Sequence, residues 1–210
     1  SAEGNVARSK NYGDVATANT RDRVGGITAY GDVTDSENTG NVSGKNNLGG
    51  ITGQGGAVNC TNTGDVTSHG NQCKTGGISG YSKKDISNCT NSGNVSGQND
   101  MGGIVGYIEG GKVLSCQNSG SVTGWRDTGG IAGYSSVNIE QCTNRGKVVS
   151  TSAYVGGIAG RLSNASILSS YNEGRVQGRD HVGGIVGYMT SGTVSQNENN
   201  ADVYYVNSEY

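Results

Sequence analysis

The side chains with chemistry to offer are few. The 210-residue chain holds two histidines, five cysteines, one tryptophan and eleven tyrosines. A zinc peptidase needs H-E-x-x-H, with both imidazoles on one helix face and the glutamate as base. His69 and His181 stand in HGNQC and HVGGI, and neither has that partner. A nucleophilic triad needs an imidazole beside an activated hydroxyl, and no G-x-S-x-G elbow is present. The cysteines show neither C-x-x-C nor Cys/His spacing, so they do not read as a zinc site. The calcium-binding nonapeptide G-G-x-G-x-D does not recur either. No catalytic residue, metal or cofactor is therefore expected, and the sequence predicts a protein that is not an enzyme.

The distinctive residues recur at fixed intervals, which directs attention to what positions them. GGI occurs seven times, with Ile27, Ile51, Ile78, Ile104, Ile131, Ile158 and Ile185 spaced by 24, 27, 26, 27, 27 and 27 residues. N-x-G-x-V interleaves with it, and its asparagines are Asn11, Asn38, Asn62, Asn91, Asn118, Asn144 and Asn172. Asn199 begins an eighth copy in which Ala201 replaces the Gly. Two residues before each Asn stands a small residue: Ser9, Ser36, Cys60, Cys89, Cys116, Cys142, Ser170 or Asn197. Val113, Ile139, Ile167 and Val194 lie three residues further back. The unit reads I-x-x-C-x-N-x-G-x-V-x-G, a variable loop, then G-G-I-x-G-Y. A spacing of two is the strand period, so the named residues share one face. No helical period is visible. The expected fold is all-β: a right-handed parallel β-helix (solenoid) with about 27 residues and three short strands per coil, in seven to eight coils.

Composition agrees. Gly supplies 39 residues, Pro and Phe none, and only 31% of the chain is hydrophobic. That is too little for a conventional globular core. No run of about 18 apolar residues exists, so membrane insertion is not expected. A net charge of −2 leaves no electrostatic footprint for nucleic acid. Balanced charge and gridded apolar residues separate the chain from disordered ones.

Stacking turns each repeat position into a ladder with rungs ~4.8 Å apart. The Ile and Val ladders form the interior. The asparagines point inward, where an unpaired amide is costly, so they should bond to one another and to corner backbone. Glycosylation is the rival reading for Asn, but the sequon Asn88-Cys89-Thr90 lies off the ladder. Cys60, Cys89, Cys116 and Cys142 share one slot with Ser and Asn. It selects small size, and parallel neighbours are too far apart for good disulfides. Buried free thiols are expected there. Cys73, in a variable loop, is expected to be exposed.

Outside, the position three after each GGI Ile is Tyr30, Gln54, Tyr81, Tyr107, Tyr134, Arg161 and Tyr188. Tyr81, Tyr107, Tyr134 and Tyr188 are candidate ligand contacts if the rings form an outward stripe. Ring-on-ring packing over a corner is the alternative. The loops before GGI carry Arg21-Asp22-Arg23, Trp125-Arg126-Asp127 and Arg179-Asp180-His181. Trp125, placed at a loop tip, and Arg126 complete the candidate contacts. Asp14, Asp65 and Asp202 fall on one strand position in distant coils. Arg145, Lys147, Glu173 and Arg175 read as a solvated ion-pair patch. These charges break the flat Thr lattice that ice binding would need.

The run Gly102-Gly103-Ile104-Val105-Gly106-Tyr107, continued by Val113-Leu114-Ser115-Cys116-Gln117-Asn118-Ser119-Gly120-Ser121-Val122-Thr123-Gly124, resembles the GLUG repeat. Segments 129–148, 156–176 and 183–203 are similar, so the likeness covers nearly the whole chain. The usual G-G-L-V-G appears here as G-G-I-x-G. GLUG repeats occur in bacterial surface and secreted proteins, including adhesin-like proteins and the accessory region of IgA-cleaving metallopeptidases. The resemblance implies a β-helical, non-catalytic region at the bacterial cell surface or cell wall, or secreted. Residues 1–210 read as a single solenoid domain excised from a longer protein, since both ends fall within a repeat. The expected role is a stalk or ligand-presenting surface; the alternative is a carbohydrate-binding or polysaccharide-active β-helix. The partners expected are a glycan or a host surface protein, with end-to-end self-association through the open strand edges of the piece.

Overall fold

A computed structural model describes residues 4–18 and 23–206. Arg21 and Asp22 of the first loop motif lie outside the described residues. Among those described there are strands and turns and no helix. The pairings are parallel and join each residue to its equivalent one winding on, as in Val95↔Val122↔Val148↔Val176. The chain is a β-solenoid of about seven turns with ~27 residues each.

The winding is divided more finely than into three strands. One coil runs through Val113–Leu114, Gln117–Asn118, Val122–Gly129 and Ala132–Ser135. These segments belong to four sheets, here called the first, asparagine, valine and tyrosine sheets. The fourth face arises because C-x-N-x-G-x-V bends. Its alternation does turn Cys116, Asn118, Gly120 and Val122 inward, but the backbone bends at Gly120. There the coils approach so closely that a Cβ on Gly120 would lie 1.9 Å from the Gly93 carbonyl oxygen. The corner between the first and asparagine sheets is a single left-handed residue. Asp35, Asn59, Asn88, Ser115, Gln141, Ser169 and Gln196 have φ between 48° and 57°. Asn and Asp enter that region more readily than most side chains.

The interior amides form one continuous chain. Asn91 Nδ2 donates to Asn118 Oδ1 at 2.8 Å, Asn118 to Asn144 at 2.9 Å and Asn144 to Asn172 at 2.8 Å. Asn11, Asn38 and Asn62 continue it below and Asn199 above. The second proton of each amide goes to the backbone two residues on, for Asn118 to the Gly120 carbonyl at 2.8 Å. Asn38 to Asn172 are buried; the end members Asn11 and Asn199 are less covered.

The same amides explain GGI. A Cβ on Gly103 would sit 2.3 Å from Asn118 Cγ and 2.2 Å from the Gly130 oxygen. Gly77 stands likewise against Asn91, and Gly130 against Asn144. The two motifs are therefore one device: the amide crosses the coil and packs where only glycine leaves room. Ile51, Ile78, Ile104, Ile131 and Ile158 stack beside it, fully buried.

Two expectations are corrected. Cys73 is buried, packed with Val95, Met101 and Val122. It is the one apolar side chain in the segment 68–73, so it turns inward while His69, Asn71 and Gln72 stay out. Its sulfur accepts from the Gln98 amide at 3.4 Å. Trp125 is not at a loop tip. It lies within the strand Val122–Gly129, which runs on where other coils break, and the pairing register shifts between Gly124 and Arg126.

Replacing Asn118 by Ala removes three buried hydrogen bonds at ~1 kcal/mol net each, so we expect urea unfolding to show a loss of roughly 3 kcal/mol. Gly103→Ala should cost at least as much, because its new Cβ meets backbone that cannot move. An Asn118→Ala protein with an unchanged urea midpoint would remove the ladder as the source of stability.

Candidate contact face

The exterior column of the tyrosine sheet holds Tyr30, Gln54, Tyr81, Tyr107, Tyr134, Arg161 and Tyr188 in register. Three of the expected contacts come together. Tyr107 and Tyr134 stack with centroids 4.4 Å apart and planes at 11°, and Tyr81 follows at 5.8 Å, tilted 37°. Cations take the remaining faces. The Lys74 ammonium is 4.5 Å from the Tyr81 centroid and 4.0 Å from that of Tyr107. The Arg161 guanidinium lies 5.7 Å from both Tyr134 and Tyr188. Burial and the neighbouring Tyr134 push the Tyr107 phenol up to about 12. The Tyr81 hydroxyl donates to Glu109, which also pairs with Lys83 at 2.9 Å.

Tyr188 belongs to a separate group. It packs on Tyr154 at 4.9 Å and against His181 at 5.7 Å. A sugar stacks on an open ring face, and here the rings face one another or a cation. Tyr81, Tyr107 and Tyr134 pack ring on ring.

Trp125 and Arg126 lie beside this column on the valine sheet. Both of their backbone amides bond to the single carbonyl of Gln98, at 2.7 and 3.0 Å, and on the other side the next coil carries the extra residue of a bulge, three steps from Ser150 to Ala153 against two from Gly124 to Arg126. The indole is 48% exposed. Grooves flank it on both sides. One of about 410 Å³ is lined by Gly97, Gln98, Thr123, Gly124, Trp125 and Thr151. The other, of about 380 Å³, is lined by Gln72, Lys74, Asn99, Asp100, Trp125, Arg126 and Asp127. Lys74 joins the second groove to the tyrosines. The Arg126 guanidinium lies 5.1 Å from the Tyr154 ring, away from the indole's neighbours in the column.

Sequence reasoning missed Asp100 and Asp127, which occupy adjacent coils in that groove. The signal was available: both stand two residues before GG, where other coils carry Arg23, Asn47, Lys74, Tyr154 and His181. Asp100 is pushed up to about 7 by burial and the Asp127 charge, against the pull of Lys74, Arg126 and Arg161. Burial also raises Asp127. One Asp127 oxygen, Oδ2, lies 3.5 Å from Arg126 Nε, and the other, Oδ1, is buried without a hydrogen-bond partner.

The other singled-out residues have structural surroundings. Cys60, Cys89, Cys116 and Cys142 are free and buried. Each thiol donates to the carbonyl two residues back, at 3.2 to 3.4 Å. The Ser36 and Ser170 hydroxyls make the same bond at 2.7 and 3.0 Å, so the slot wants a small donor. The thiol of the next coil and burial push Cys60, Cys89 and Cys116 upward, which leaves no thiolate to react. Asp14 and Asp65 cap backbone amides of the next coil, Asn41 and Asn94, at 2.8 Å. Arg145 pairs with Glu173 at 3.0 Å, both half exposed. His181 bonds Asp180 at 2.8 Å. Among the described residues no three His, Cys, Asp or Glu side chains converge as metal ligands would. No protein-family model, curated protein or solved structure matches the chain.

The thiols should resist aromatic disulfide reagents until the chain unfolds, and Cys116→Ser should shift stability by less than ~1 kcal/mol. Rapid labelling of the native protein would contradict the buried ladder.

The acid pair gives stability a pH dependence. Asp100 holds its proton more tightly folded than unfolded, so its contribution is present below the ordinary aspartate range and is lost as pH rises through about 7. Asp100→Asn should therefore stabilise the protein by ~2–4 kcal/mol near about pH 8 and change little near about pH 4. Denaturation at the two pH values checks this; equal effects at both would contradict the pairing.

Proposed function

We propose that the chain is a stiff, non-catalytic repeat region of a bacterial cell-surface or secreted protein, serving as a stalk or ligand-presenting surface. One observation carries the reading: the amide ladder makes each coil depend on the next, so the chain is a rod whose sides are free for display. Seven turns at ~4.8 Å give a rod of roughly 35 Å. The thiols are buried, and no metal-ligand set converges among the described residues. The likeness to GLUG repeats of surface proteins supports the location.

The second reading, a carbohydrate-binding or polysaccharide-active β-helix, is favoured by the groove beside Trp125 with its two carboxyl groups. An acid that keeps its proton near neutrality is suited to general-acid work. The polysaccharide-active form of this second reading differs from the first in turnover.

Antibodies raised against the chain should label intact cells of the producing organism or its culture medium. Labelling only after lysis would overturn the surface assignment. Incubation with neutral and acidic polysaccharides should release no new reducing ends or unsaturated products; turnover lost in Asp100→Asn would replace the first reading with the second.

A further inference from the structure

The tyrosine column has its ring faces filled, yet one aromatic on this side does not. The Trp125 indole stands opposite a bulge of the next coil, 48% exposed, with a groove along each edge. Beside it the groove lined by Asp100 and Asp127 holds an unusual atom. Asp127 is only 7% exposed, and its Oδ1 has no hydrogen-bond partner. A buried carboxylate oxygen left unpaired is costly, and it belongs to a residue that lines an open groove, so a turn of the carboxylate would present it there. Arg126 does not satisfy it. That guanidinium approaches the other oxygen at 3.5 Å, beyond good hydrogen-bond length, and leans over Tyr154. Lys74 is drawn to the Tyr81 and Tyr107 rings. Gln72 and Asn99 add amide groups to the lining.

We propose that this groove is a subsite for one pyranose unit of a neutral glycan. This rests on the ligand-presenting reading above and deepens it. The apolar face of a pyranose lies on the indole, as a C–H-rich surface does on an open π-face. A ring hydroxyl donates to Asp127 Oδ1, a charge-assisted bond to the orphan acceptor. Asp100, pushed up to about 7 by burial, can when protonated donate to a second sugar oxygen. The side-chain amides of Gln72 and Asn99 and the second groove beyond the indole extend the track to neighbouring units. Acidic sugars are disfavoured, because a uronate carboxylate would face the Asp127 carboxylate. Arg126 already faces Asp127 Oδ2 at 3.5 Å, and Lys74 lies over the Tyr81 and Tyr107 rings.

Trp125 is the only tryptophan, so intrinsic fluorescence reports this one site. The probes are β-linked hexasaccharides of glucose, mannose, galactose and N-acetylglucosamine, with hexagalacturonate as the acidic comparison. We expect a saturable emission shift with at least one neutral probe and none with hexagalacturonate. By calorimetry, Trp125→Ala and Asp127→Asn should each weaken binding about tenfold or more, and Trp125→Tyr should retain part of it. Arg145→Ala, on another face, should leave it unchanged, and melting curves verify that each variant is folded. Absence of a shift with all four neutral probes at millimolar concentration, tighter binding of hexagalacturonate, or full binding by Trp125→Ala would overturn the subsite. Such a failure leaves the surface reading standing. Labelling of lysed cells alone, by contrast, removes the surface reading whether or not sugars bind.

Discussion

The structure depends on one hydrogen bond, from the amide of an asparagine in one coil to the amide oxygen of its equivalent in the next. A primary amide has two donor protons and an acceptor with two lone pairs, so buried alone it would be a liability. Stacking removes the liability in three directions: up to the next amide, down to the previous one, and sideways to a carbonyl in its own coil. Asn118 makes all three bonds within 2.9 Å. The arrangement works only if the coils share one pitch and one register. A shift of one residue would turn every amide outward and every exterior residue in. Glycine follows as a consequence, since Gly103 and Gly130 leave the space into which Asn118 and Asn144 extend.

The same repetition shapes the outside, and it limits what the outside can do. A tyrosine repeated one winding apart meets its own copy, so Tyr107 and Tyr134 spend their ring faces on each other. Charges repeated likewise meet cations and anions above and below, as Arg145 meets Glu173. A perfect ladder therefore consumes its own side chains. Free chemistry arises where a ladder is broken. The column two residues before GG changes type at nearly every rung, from Lys74 through the two aspartates to Tyr154 and His181. The strand next to the one that carries Trp125 bulges, with one extra residue between Ser150 and Ala153.

This explains which parts were legible in the sequence. Positions held by stacking repeat, and repetition is visible: the amide ladder, the small slot shared by Cys116 and Ser170, the GGI isoleucines and the solenoid itself. The thiols buried as their spacing suggests, because neighbouring Cβ atoms set one pitch apart exclude the disulfide. The four-sided coil was not legible. Its extra corner needs only a bend at a glycine already assigned to a strand, and its left-handed corner residues vary among Asp, Asn, Ser and Gln. Cys73 was misplaced because a loop of unique sequence has no equivalent to compare with, and its burial is decided by the gap it fills. Trp125 was assigned to a loop for the same reason.

The acid pair shows the limit most clearly. Asp100 and Asp127 are 27 residues apart and look like two unrelated loop residues among polar neighbours. Only the winding makes them adjacent, and only burial by the surrounding side chains turns adjacency into a shared-proton problem. A carboxyl exposed in one coil would simply ionise. Two of them, one pitch apart and shielded from water, cannot both do so at little cost, and the fold answers by holding a proton on Asp100 and leaving an acceptor open on Asp127. A scaffold whose amide ladder does not vary thus gains a distinctive patch by altering two rungs of another column. That change touches neither the amide chain nor the isoleucine column, so the patch is free to differ from coil to coil while the rod stays the same.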